Sequence, residues 1–476
     1  MADNPEPRRT QLSEPLARFQ DALRSITAHR RAPLAAAHHI DRVGSPADIR
    51  VALGLLAEHP SVVLRMEEAA RPDYVHPTRP LERSASVAAL PVGGSLTLAL
   101  SSLHADGRIR AQTVRPLLER LRQDPPQLGL VAFLVLRTTD WVPEVRDAAR
   151  AALVLVLQEA PDGLVEAAAQ VAVLLSRRKR GGFAGQQARA ALLARPGAAH
   201  LERLLGSPDH LLRQFALQVA VSGGRCTTER LAALARDDAD RRVRELAAEA
   251  AVREAVWADR LDLVRRLAAD RHPEVRAAAV TGLLRAGRTA DAARFFDDLS
   301  PEVRAVAHEA VGRVGGDVPA HYRTAVREAR PTPGAILGLA DFRDRTDAAG
   351  LTELLSHPHA DVRAAALRAL RQLRAVPAES ARLLLGDPSR RVVREAVRVV
   401  PAEAELLSHP RGQVRAAALR ALLSLGAVPG ESVLPFLRDP SRSVVRVAAR
   451  SLSPGARAPF LGERPGLIRR ELSDRP

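Results

Sequence analysis

Few side chains in this sequence have the type and spacing to run a reaction. His308 and Glu309 form an adjacent His-Glu pair of the kind that can hold iron. A di-iron site needs several such pairs, so this one is expected to lie on a helix face without metal. His272, His357 and His409 each directly precede a proline. They are expected to cap helix ends and interact with the helix dipole rather than to bind metal. Cys226 is the only cysteine, which excludes an internal disulfide and a thiolate cluster. Lys179 is the only lysine; it follows Arg178 rather than a run of glycines, so a phosphate-binding P-loop is excluded. Neither His-Glu-x-x-His nor Gly-x-Ser-x-Gly occurs. Trp141, with Asp140 beside it, and Trp257 are the only tryptophans, and they join just 2 tyrosines and 9 phenylalanines. Base-handling sites normally require more aromatic faces. No catalytic, cofactor-binding or metal-ligating residue is assigned, and no cofactor is expected.

Arginine is the abundant reactive type. Lys+Arg number 71 against 55 Asp+Glu, a formal charge of +16 over 476 residues. The excess is uneven: residues 351–476 hold 21 basic and 12 acidic side chains, whereas 201–350 hold 24 and 23. The cluster Arg177, Arg178, Lys179, Arg180 before Gly181-Gly182 reads as a charged loop. Hydrophobic residues make up 46% and aromatics 3%, so a large core must be filled by Ala, Leu and Val.

The arginines recur. A phrase of turn residues, Val/Ile-Arg and an Ala-rich run appears as WVPEVRDAARAAL from 141, RHPEVRAAAVTGL from 271, HPHADVRAAALRAL from 357 and HPRGQVRAAALRAL from 409. Its anchoring arginines are Arg50, Arg110, Arg146, Arg213, Arg244, Arg276, Arg304 and Arg363, continuing as Arg394, Arg415 and Arg446. Several gaps are 31 or 32 residues, the period of a solenoid. Each unit reads as two short helices. Around Arg363, the apolar residues Val362, Ala366, Ala369, Leu370 and Leu373 share one helical face. The preceding helix carries Leu351, Leu354 and Leu355 and stops at Ser356-His357-Pro358. Pro273 and Pro301 suit the first turn of a second helix. Such a pair cannot bury its apolar face alone, so neighbours must stack.

The pattern resembles HEAT repeats, in the shorter variety of about 31 residues found in phycobilisome-lyase-type proteins. The resemblance is strong over about 106–452 and weak over about 14–102. It implies an all-α fold: an α-solenoid, or superhelix, of stacked HEAT-like helix pairs, about 14 of them over residues 14–452. It also implies that the anchoring arginines are structural, each pairing with an acid of a turn in a ladder between neighbouring repeats. Asp48, Glu144, Glu274, Glu302 and Asp361 lie two residues before their arginines; Asp106, Asp209 and Asp240 lie four before. In the last units that fourth position holds Arg390, Arg411 and Arg442. With Arg391 they form a candidate stripe for an anion or an acidic partner.

The expected segments are a flexible N-terminus at 1–13, degenerate helical repeats at 14–104, HEAT-like repeats at 105–318, a degenerate repeat or bend at 319–345, duplicated repeats at 346–452 and a Pro/Gly/Arg-rich tail at 453–476. The Arg394 to Arg415 spacing of 21 predicts a truncated helix between them. Arg8-Arg9 is not followed by an apolar stretch, and the longest apolar run, Leu128–Leu136, is too short to span a bilayer. No membrane insertion and a cytoplasmic protein are therefore expected. The expected function is a non-enzymatic scaffold that binds an unidentified protein partner through an extended curved surface. The alternative is nucleic-acid backbone binding through the C-terminal arginines; an enzyme on a HEAT-like scaffold, glycosylase-like or lyase-like, ranks third. The pattern leaves the oligomeric state open.

Overall fold

A computed structural model describes residues 13–24, 32–70, 94–401, 403–427 and 430–452. The expected flexible N-terminus (Ser13 apart) and the Pro/Gly/Arg-rich tail lie outside the described residues. All regular structure among the described residues is helical. No helix there is long and apolar enough to cross a membrane. The chain divides into two compact units, residues 1–251 and 252–476. Each is an α-solenoid of stacked, HEAT-like helix pairs.

The pairs follow from a repeated local grammar. The second helix often opens on proline, as in Pro143–Glu159, Pro273–Arg285 and Pro301–Arg313. Proline lacks only an N–H that has no partner inside the helix, and its fixed φ suits the first turn. The helix then runs on Val, Ala and Leu at helical spacing. In Ala360–Leu373 the residues Val362, Ala366, Ala369, Leu370 and Leu373 are all buried. The first helix of that pair, Ala348–Glu353, buries Leu351 and tightens into a 3₁₀ turn at Leu354–Ser356. Similar 3₁₀ endings occur at Arg294–Asp297 and Leu384–Gly386. This turn re-aims the chain within a few residues, so the second helix packs back on the first.

Small residues set how closely helices approach. A Cβ on Gly282 would stand 2.2 Å from Val252 Cγ1, and one on Gly338 would stand 2.2 Å from the Tyr322 ring. Between Arg304 and Arg363 the pattern weakens in sequence, yet the chain still forms a pair, Val318–Ala325 and Pro333–Asp341. Tyr322 replaces the usual aliphatic filling there. Its hydroxyl donates to the Phe296 carbonyl at 2.8 Å and lies 2.7 Å from His308 Nε2. Between Arg394 and Arg415 the second helix, Arg390–Ala396, has seven residues and is followed only by a 3₁₀ turn, Ala404–Ser408.

Gly338→Ala separates helix propensity from packing. Propensity alone would stabilise by about 1 kcal/mol. The clash with Tyr322 should outweigh it, since overpacking costs about 1–3 kcal/mol. A lower urea midpoint for the full chain is expected; an unchanged or higher one would show that the ring yields freely.

Candidate functional site

The chemistry of this molecule is concentrated in the turns between paired helices. One side-chain arrangement recurs there. In Arg276, Nη1 donates to two carbonyls of its own turn, Asp270 O at 2.9 Å and Arg271 O at 3.1 Å. The Nε and Nη2 groups fork onto Asp298 of the following repeat, both at 2.7 Å. Arg110 does the same with the His104 and Ala105 carbonyls and Asp140. Arg213 forks onto Asp238, Arg363 onto Asp387 and Arg415 onto Asp439. Arg304 reaches Asp341 with Nε and Nη2 while Nη1 takes the Asp298 carbonyl. A planar guanidinium alone has the donors to satisfy two carbonyls and a carboxylate together.

The receiving aspartate also shapes its own turn. Its Oδ1 accepts the backbone N–H two residues on: Val142 for Asp140, Ser300 for Asp298, Ser389 for Asp387 and Ser441 for Asp439. Each fork therefore joins the turn of one repeat to the turn of the next. Two of the histidines before proline take the same place. His357 Nδ1 accepts from His359 N and His409 Nδ1 from Arg411 N. They shape the turn as aspartate does but offer no carboxylate to a preceding arginine. His272 sits differently, with Arg271 Nε donating to its Nε2.

This geometry corrects the partners read from sequence. Acids two or four residues before an anchoring arginine were expected to form the ladder. Instead Asp106 and Asp209 cap the helices they precede, and Asp48, inside Pro46–Glu58, accepts from the N–H of the capping residue Ser45. The ladder acids are those 22–37 residues downstream. Arg244 takes the Asp238 and Ala239 carbonyls, Arg146 pairs with adjacent Asp147, and Arg50 is exposed. Arg394 and Arg446 lie one residue beyond the fork position, which Val393 and Val445 occupy. Within the candidate stripe, Arg390, Arg391 and Arg442 are exposed on their second helices. Arg411 differs: it donates to the Gly386 carbonyl at 3.0 Å and to that of Asp387, so it is part of a repeat junction. His308 and Glu309 diverge. His308 packs among Phe296, Tyr322 and Phe342, and Glu309 pairs with Arg313 at 2.6 Å.

In the first unit one fork extends into a buried charge network that the sequence pattern did not single out. Arg137, 1% exposed, donates to Asp140 at 2.6 Å and to Glu67, and Arg178 reaches the other Glu67 oxygen at 2.5 Å. Burial pushes the Asp140 carboxyl up, but hydrogen bonds from Arg110 and Val142 N and the charges of both arginines outweigh it and hold the carboxyl low. Above this network, Glu68, Thr139, Trp141, Arg178, Lys179 and Arg180 line an open pocket of about 380 Å³. Beyond the same turn, a groove of about 330 Å³ runs between helices Gly182–Ala194 and His210–Ser222. Gly182 and Gly185 leave it open, and Gln186, Arg189, Gln214, Phe215 and Gln218 line it. The sequence signal for the fork acids is an aspartate opening the turn of the next repeat. No comparable signal marks the pocket or the groove, whose residues come from separate repeats.

No protein-family model matches the chain, and neither does any curated protein. Among solved structures the chain is similar to an engineered protein, at 17% identity, TM-score 0.19, over 92% of this chain and 98% of that one. It is similar to microtubule polymerases with tumor overexpressed gene (TOG) domain arrays, at 11% identity and TM-score 0.26, over 74% and 92%. It is also similar to the karyopherin Kap121p, at 14% identity and TM-score 0.25, over 92% and 53%.

Arg276→Ala should destabilise the chain by about 1–3 kcal/mol, because it takes both arms of the fork from a half-buried Asp298 carboxylate and strands two turn carbonyls. Arg276→Lys should recover only part of the loss, since an ammonium cannot fork. An unchanged urea midpoint in the Ala variant would remove the fork from the forces holding the repeats.

Acid should act through the same contacts. Arg415's hydrogen bonds hold the Asp439 carboxyl below the ordinary carboxylate range, against burial, which pushes it up. A carboxyl depressed in the folded state stabilises fully above its unfolded value and loses that contribution as pH falls through the folded one. Wild type should therefore lose more stability than Asp439→Asn as pH falls below about 4. Parallel curves would show that Asp439 ionisation carries no folding energy.

Proposed function

We propose that this chain is a non-enzymatic, HEAT-like scaffold of the short, phycobilisome-lyase-type repeat, and that it binds a polypeptide partner along the exposed faces of its second helices. The supporting observation is the groove opened by Gly182 and Gly185. Its lining includes Phe215 and Leu211, the amides of Gln186, Gln214 and Gln218, and Arg189. An amide both donates and accepts; Gln186 and Gln218, with the carbonyl and second N–H of Gln214, whose Nε2 also donates to Asp240 at 2.9 Å, suit the alternating groups of an extended main chain. A helix-pair stack also gives a partner a long, rigid surface for little ordering cost. The segment boundaries drawn from the sequence, including the duplicated repeats at 346–452, belong to this proposal, as does a cytoplasmic location.

Backbone-directed nucleic-acid binding at the C-terminal stripe is the second reading. The exposure of Arg390, Arg391 and Arg442 supports it. With Arg411 committed to carbonyls, that stripe is narrower than its sequence suggests.

One experiment tests both. A Cβ at Gly185 meets no atom within 4 Å, so Gly185→Leu sends its side chain from open space into the groove and favours the helix. The tagged full chain and this variant are affinity-purified with and without nuclease. We expect a protein partner that survives nuclease with the wild type and is lost with Gly185→Leu. Loss of every partner on nuclease treatment would favour the arginine stripe, and full retention by the variant would move the docking site off the groove.

A further inference from the structure

We infer that the Trp141 pocket binds a nucleotide unit of single-stranded nucleic acid, with the base on the indole face and the backbone phosphate on Arg178, Lys179 and Arg180. The inference concerns a site and a ligand separate from the polypeptide groove. It starts from a side chain in an unexpected place. Trp141 follows Asp140, which is 2% exposed, yet Trp141 itself is 61% exposed. What sets Trp141 apart from other exposed apolar side chains, such as Trp257, is that it lines a pocket together with three cations. The Arg110 guanidinium lies over the ring, 5.5 Å from its centroid, and Arg110 is held by its fork on Asp140. The indole thus has a positioned cation against it.

The cations beside the ring are also positioned from below. Arg178 is tied to Glu67, and the second Glu67 oxygen is occupied by Arg137. Asp140 is shared between Arg110 and Arg137. Among the described residues, Arg110, Arg137 and Arg178 meet Asp140 and Glu67 in the network, and Glu68, Arg178, Lys179 and Arg180 are the charged groups that line the pocket. Cations outnumber acids in that lining, and the weakly polarisable protein beneath focuses their field into the pocket. An anion is the matching ligand.

The flat face decides which anion. An acidic peptide would use the cations but leave the indole uncovered. A duplex would offer phosphates, but its bases are stacked on each other. A nucleotide in a single strand offers an exposed ring and a phosphate on adjoining atoms, the combination that aromatic-plus-cation grooves recognise. One ring serves one base, so binding should tolerate any sequence. Three cations predict a slope of about −2 in log K against log salt.

The test uses the full chain with Trp257→Phe, which leaves Trp141 as the only tryptophan reporter. Indole fluorescence is titrated with a ten-residue oligothymidylate, thymidine monophosphate and a poly-aspartate peptide. We expect saturable quenching by the oligonucleotide, with weak response to the other two, and loss of it in Lys179→Glu/Arg180→Glu. Anisotropy of a labelled oligonucleotide then compares Trp141→Ala, expected about 5- to 100-fold weaker, with Trp141→Phe, expected to recover part of the binding. Circular dichroism checks that each variant folds. Equal binding by Trp141→Ala, or poly-aspartate binding as tightly as the oligonucleotide, would overturn the base-stacking assignment. Thymidine monophosphate binding as tightly as the strand would make this a free-nucleotide site and overturn the strand. Retention of oligonucleotide binding by Gly185→Leu is expected and keeps this result independent of the groove.

Discussion

The contact on which the rest depends is the arginine fork from one turn to the next. Helix pairs with so few aromatics bury modest area each, and apolar contact is non-directional, so it does not by itself fix how one turn faces the next. A bidentate ion pair has no such tolerance. Arg276 and Asp298 fix the distance and angle between two turns to a few tenths of an ångström, because both hydrogen bonds must close together. The carbonyls of the turn complete the arrangement. They lower the cost of burying the guanidinium by filling donors that the carboxylate cannot reach.

The fork is also selective about its neighbours. An aspartate opening a turn is useful only where the preceding repeat sends an arginine. Where Val393 occupies the sending position, the next turn opens with His409, whose Nδ1 replaces the aspartate in shaping the turn without placing an unpaired carboxylate at the junction. The unit then relies on Arg411, which crosses to the Gly386 and Asp387 carbonyls from the other side. One junction uses a carboxylate, and the next uses backbone. That alternation withdraws Arg363, Arg411 and Arg415 into the junctions, while arginines such as Arg390, Arg391 and Arg442 stay exposed.

The first unit shows the converse. There the fork at Arg110 and Asp140 is overlaid on Arg137, Glu67 and Arg178, so charges of both signs share one small volume. A structural device thereby also positions a cation, Arg178, in the lining of the pocket that Trp141 shares. The groove beyond the same turn rests on a different economy, with glycines omitting side chains where a helix-helix interface would otherwise close.

The sequence alone determined the architecture. A period of 31 or 32 residues, apolar positions at helical spacing and prolines at helix starts suffice, because each is a local property that one repeat already expresses. It also determined which arginines would recur. Tertiary structure decided what they touch. Asp106 and Asp298 look alike in the chain, but one caps the helix beside it and the other receives an arginine from the preceding repeat. His308 and Glu309 are adjacent in sequence and part company in space, one packed among rings and the other paired on the surface. Trp141 and Lys179 are 38 residues apart and line one pocket. Stacking sets these meetings: a repeat pattern fixes each helix face, but only the approach of neighbouring turns brings particular side chains within hydrogen-bonding distance.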